Sequence, residues 1–90
     1  AVSVVRSYLG ALARGDRATA ASYLAHGTPN EPFMNSLAHV ATIHSASAGP
    51  QQYEVTADVQ TPEGEYYVTF TLQQGPGGLQ ITDHYTIKPH

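Results

Sequence analysis

The apolar positions along this chain change period once. In the opening AVSVVRSYLGALARGD they recur at helical spacing, and Val5, Tyr8, Leu9 and Leu12 make one stripe. Ser3 is placed to cap that helix. Gly15 supplies a left-handed stop, and Asp16 caps a second helix read over DRATAASYLA. Ala20, Ala21 and Leu24 form its thin stripe, with Tyr23 at the border. Almost no loop separates the two helices, so they predict a corner or hairpin. HGTPNEP, 26–32, is a connection in which Thr28, Pro29 and Glu31 match a capping pattern. Pro32 rules out a long helix beyond it and leaves a short turn around Phe33 to Leu37, placed to plug one end of the core.

From about His39 the period is two. HVATIHSASA favours a strand but does not alternate cleanly. In QQYEVTADVQT, Tyr53, Val55, Ala57 and Val59 point one way and the intervening polar residues the other. PEG at 62–64 is a turn, with its glycine where a positive φ is useful. EYYVTFTLQQ places Tyr66, Val68, Phe70 and Leu72 on one face and Tyr67, Thr69, Thr71 and Gln73 on the other. GPGG at 75–78 is a second turn. GGLQITDHYTI is the last strand, with Leu79, Ile81, Asp83, Tyr85 and Ile87 at one parity. Short turns make neighbouring strands antiparallel. The expectation is one α+β domain over 1–90: two N-terminal helices on one face of a curved antiparallel sheet of about four strands.

Composition narrows the function. The chain is 41% apolar and only 12% charged, against roughly a quarter in typical domains. Its net charge is −3, and its four basic residues, Arg6, Arg14, Arg17 and Lys88, are scattered. A nucleic-acid or anionic-membrane surface needs clustered positive charge, so those partners are set aside. Without cysteine there is no disulfide framework, thiolate zinc site or thiol nucleophile. No apolar run approaches the ~20 residues that span a bilayer, so no direct membrane insertion of this segment is expected. The chain opens directly on a helical pattern, which reads as a processed product or a piece of a longer protein. A surface rich in Thr, Ser, Gln and Gly points to an extracytoplasmic bacterial setting.

Two stretches carry a family resemblance. VVRSYLGALARGDRATAASYLA resembles the opening signature of the NTF2-like, or cystatin-like-cone, superfamily: an aromatic-leucine helix, a Gly-Asp break and a second helix ending Tyr-Leu. GGLQITDHYTI resembles its closing strand, which often reads glycine, a bulky residue, a β-branched residue, then Asp. The order of elements agrees over most of the chain; 26–50 has no counterpart. The resemblance implies a curved sheet wrapped around a long helix, leaving a conical cavity. Members include isomerases, cyclases and dehydratases, and also non-catalytic modules, some of them in bacterial lipoproteins, secretion and conjugation components. This chain is shorter than the enzymes and carries Leu79 where Trp is common, which implies a shallow cone.

Candidate chemistry centres on Asp83, a carboxylate set into an apolar face. It is either a binding or catalytic group, a structural acid bonded to a tyrosine hydroxyl, backbone or water, or a residue that a bulge turns outward. A small ligand, apolar if present, would sit in a shallow cone lined by Tyr66, Phe70, Asp83 and Tyr85. Tyrosines at the inner faces (Tyr8, Tyr53, Tyr66, Tyr85) serve equally as core fillers with wet tips. The histidines His26, His39, His44, His84 and His90 show no metal-ligand spacing, so no metal and no cofactor is expected. The outer face, Tyr67, Thr69, Thr71, Gln80, Thr82, His84 and Thr86, is polar yet hardly charged. It suits docking on a protein partner or a second copy, or is an ordinary solvated threonine face. The leading reading is a non-catalytic binding or assembly module of a larger bacterial envelope-associated or secreted protein. The alternatives are a small enzyme with Asp83 as general base, or a small-ligand carrier.

Overall fold

The computed structural model describes residues 1–29 and 31–88. Helix α1 (Val2–Ala13) begins at Ala1 without a side-chain cap, so Ser3 lies inside the helix and does not start it. Gly15 ends it at φ 77, in the left-handed region that glycine occupies at no steric cost. Asp16 then accepts from the Thr19 N–H at 3.2 Å and caps α2 (Arg17–Ala21). This second helix is half the length the sequence predicts. Its continuation is captured by the sheet: Tyr23 O accepts from the Ile81 N–H at 2.9 Å, and Ala25 N–H donates to Ile81 O at 2.8 Å. Two ladder-like bonds hold Leu24 extended where an isolated segment would have stayed helical.

Four strands complete the fold: β1 (His39–Gly49), β2 (Gln52–Thr61), β3 (Gly64–Gly75) and β4 (Gly78–Ile87). They form an open antiparallel sheet in chain order, β1-β2-β3-β4. The architecture is therefore α+β, an N-terminal helical segment and then a meander. Imperfect alternation in β1 has a structural cause: register shifts leave Ala41 and Ala48 without a partner on β2. Each extra residue reverses the parity, so Val40 and Ile43 both turn toward the core side and are partly buried there.

One face of the sheet carries the core. Val5, Tyr8, Leu9 and Leu12 of α1 pack with Val55, Ala57 and Val59 of β2, Val68, Phe70 and Leu72 of β3, and Ile81 of β4. Met34 joins them from the 32–38 turns, but Leu37 is 70% exposed. The predicted plug is thus Met34, with Phe33 packed partly buried against the core, and Leu37 takes no part in it.

In β4 the structure departs from the sequence reading in a way that redefines the candidate site. Thr71 pairs with Asp83 and Leu72 with Ile81, which leaves Thr82 as an extra residue. The Thr82 hydroxyl closes back on the Thr71 carbonyl at 3.2 Å. Before this bulge, odd-numbered residues face the helices, and Ile81 is 1% exposed. After it they face away: Asp83 is exposed, Tyr85 is 55% exposed and Ile87 53%. The inward placement expected for Asp83, Tyr85 and Ile87 is corrected, and so is the outward placement of His84 and Thr86. Those two pair with Phe70 and Val68, both buried, and share their face.

Candidate functional site

The bulge places His84 beside a buried acid. Glu31, read from sequence as a capping residue, is 3% exposed. The hydroxyl of Tyr8, on the core stripe of α1, donates to Glu31 Oε2 at 3.1 Å. His84 Nδ1 lies 3.0 Å from Glu31 Oε1, an ion-pair contact and not an aligned hydrogen bond. Burying a carboxylate is costly unless it is paired and hydrogen-bonded, and Tyr8 and His84 do both here. The imidazole is further fixed by its neighbours. It stacks on Phe70, with centroids 6.0 Å apart and planes 9° apart, and meets Tyr8 edge-on at 6.1 Å. Phe70 in turn meets Tyr8 edge-on at 5.7 Å.

Next to this cluster lies an open pocket of about 510 Å³, lined by Pro32, Phe33, His84, Tyr85 and Thr86. Its size falls within the range of small-molecule sites. Phe33 forms a wall by stacking on Tyr66 at 4.3 Å, and Lys88 Nζ sits 5.2 Å from the Tyr66 ring. Of the four residues expected to line a shared cone, Tyr66 backs this wall and Tyr85 contributes to the lining. Phe70 is fully buried core, covered by Tyr8 and His84. Asp83 lies on the opposite face, where its Oδ1 accepts from the His84 N–H at 2.9 Å.

The outer face gains what the inner face loses. Tyr67 pairs with Ile87 and Thr69 with Tyr85, so Tyr67, Tyr85 and Ile87 stand together as exposed large side chains. Thr69, only 8% exposed, lies beneath them, and Thr71 continues the face. At one edge of this patch Asp58, across from Tyr67, has its carboxyl pushed up from the ordinary value of 3.8. Burial is the first cause, and a hydrogen bond with Glu65 and repulsion from its charge add to it. The Tyr67 hydroxyl donates to Glu65 Oε1 at 3.2 Å, which raises its own pKa.

Sequence reasoning missed Glu31, Pro32 and Phe33, and assigned His84 to the wrong face. Asp83 itself carried the signal. An acid at an apolar parity position is relieved by a one-residue slip, and the slip brings His84, Thr86 and Lys88 to the inner side. Among the described residues no group of three or more His, Asp or Glu converges as a metal set, and His90 lies outside them. No helix among them is long and apolar enough to cross a membrane. Comparisons with protein-family models, with curated proteins and with solved structures return no match.

Proposed function

We propose that this domain is a non-catalytic binding module of NTF2-like kind, part of a larger bacterial envelope-associated or secreted protein, and that it docks through the outer face of its sheet. One observation carries the reading: Tyr67, Tyr85 and Ile87 are 37%, 55% and 53% exposed and adjacent on a face that continues through Thr69, Thr71 and Gln73, with the acids Asp58, Glu65 and Asp83 around it. Aromatic and aliphatic side chains clustered inside a polar rim are what the centre of a protein interface needs. The order of helices and strands, with the helices on one side of an antiparallel meander, supports kinship with NTF2-like domains. The simplest partner is a second copy, because the patch is flanked by threonines that can meet their own counterparts across a two-fold axis.

Sedimentation equilibrium over a wide concentration range tests the proposal. The wild type self-associates, and Tyr85→Lys with Ile87→Lys, both at exposed positions, gives a monomer with an unchanged circular dichroism spectrum. A wild type that stays monomeric at the highest concentration and matches the double variant removes the second copy as partner.

Reaction chemistry at Asp83 finds less support. A general base works in a water-poor pocket within reach of its substrate. Asp83 is exposed on the face away from the pocket and already accepts from the neighbouring backbone.

A further inference from the structure

We propose that the pocket beside His84 is a binding site for a small organic carboxylate with an aromatic or aliphatic body, held by the His84 imidazole and the Thr86 hydroxyl. Its donors lie on the inner side of β4, and it meets the outer docking face at Tyr85.

The donors come from one side. Beyond the bulge, the inner side of β4 reads His84 and Thr86, and Lys88 follows just past the strand end over the Tyr66 ring: an imidazole, a hydroxyl and an ammonium in sequence. His84 and Thr86 line the pocket, and Lys88 adds positive charge next to the Tyr66–Phe33 stack. No acidic residue is among the pocket's described lining residues. The nearby carboxylate, Glu31, is buried and turned to Tyr8 and His84. A cation entering here meets no carboxylate it can reach, whereas an anion meets donors.

The imidazole is built to present one nitrogen. Nδ1 faces buried Glu31 and the ring is clamped by Phe70 and Tyr8, while the side chain keeps 19% exposure. Nε2 is therefore the nitrogen left to the pocket. A carboxylate beside Nδ1 orients the ring, so that in its protonated form the Nε2–H faces the ligand. A histidine that only filled the core would not need a buried acid to orient it. The opposite wall, Pro32 and Phe33, offers apolar surface to the rest of the ligand. An acid head and a hydrophobic body match these two walls.

Phenylacetate, phenylacetamide and phenethylamine share a body and differ in the head group, which makes them suitable probes. In NMR titrations phenylacetate shifts His84, Thr86 and Phe33 resonances saturably, with a Kd on the order of 1 mM or tighter. The amide and the amine bind at least tenfold more weakly. His84→Phe, which keeps an aromatic ring over Phe70, abolishes phenylacetate binding. Thr86→Val changes an exposed position without threatening the fold, and it weakens binding at least threefold even if the His84 variant does not fold. Glu31 is a positioning residue: Glu31→Gln moves the ring nitrogen shifts of His84 before any ligand is added. Equal binding of the three probes, non-saturating shifts, or an unaltered Kd in Thr86→Val overturns the proposal.

Discussion

Ile81 and Ile87 are the same residue type, six positions apart on one strand. On a regular strand they would share a face and a fate. The extra residue at Thr82 separates them, so that Ile81 is 1% exposed and Ile87 53%. Truncating each to alanine removes the same atoms from two different surroundings. At Ile81 the loss is transfer free energy plus a cavity beside Leu72, Leu24 and the helix stripe, about 2–5 kcal/mol. At Ile87 more than half the residue is already in water, so the loss is under about 1 kcal/mol. A chain of this length has a total stability on the order of 5–13 kcal/mol. With a urea m-value of about 1–1.5 kcal/mol/M, Ile81→Ala lowers the midpoint by roughly 1.3–5 M or unfolds the protein, and Ile87→Ala moves it by under about 1 M. Similar midpoints for the two variants would refute the bulge and, with it, the placement of His84 and Asp83.

Two more outcomes are expected of the buried polar groups. Tyr8→Phe keeps the ring against Phe70 but removes the hydroxyl that serves buried Glu31, and costs about 1.5–3 kcal/mol in denaturant unfolding; an unchanged midpoint would remove the Tyr8–Glu31 bond from the account. Because the Asp58 carboxyl titrates above its ordinary 3.8 in the folded protein, the folded state holds that proton more tightly than the unfolded chain. Asp58 therefore lowers stability as pH rises from that ordinary value through the raised one. Asp58→Asn raises the melting temperature at neutral pH and loses this advantage in acid below the ordinary value; a lower melting temperature at neutral pH contradicts this.

Much of the fold is legible in the sequence because it rests on periodicity. Val5, Tyr8, Leu9 and Leu12 are the buried stripe, and Val55, Val59, Val68, Phe70 and Leu72 the buried sheet face. Gly15 and Asp16 act as their chemistry predicts. The hidden features depend on partners distant in the chain. The end of α2 is set by Ile81, and the role of Glu31 by Tyr8 and by His84. Local capping rules see Thr28-Pro29-Glu31 and have no means of finding those partners. Parity rules count a strand in twos and pass over an unpaired residue. A bulge is one of the alternatives the sequence leaves open for Asp83, and the inward turn of His84 is its direct consequence.

The whole site depends on the chain slipping by one residue at Thr82, which turns His84 onto Phe70 and Tyr8 and Asp83 away from them. Proton–proton NOEs of the His84 ring are the decisive test. NOEs are expected from the His84 imidazole to the ring protons of Phe70 and Tyr8, and none from Tyr85 to Phe70. NOEs from Tyr85 to the Phe70 ring, with the His84 ring showing none to either aromatic, would overturn the slip and the site built on it.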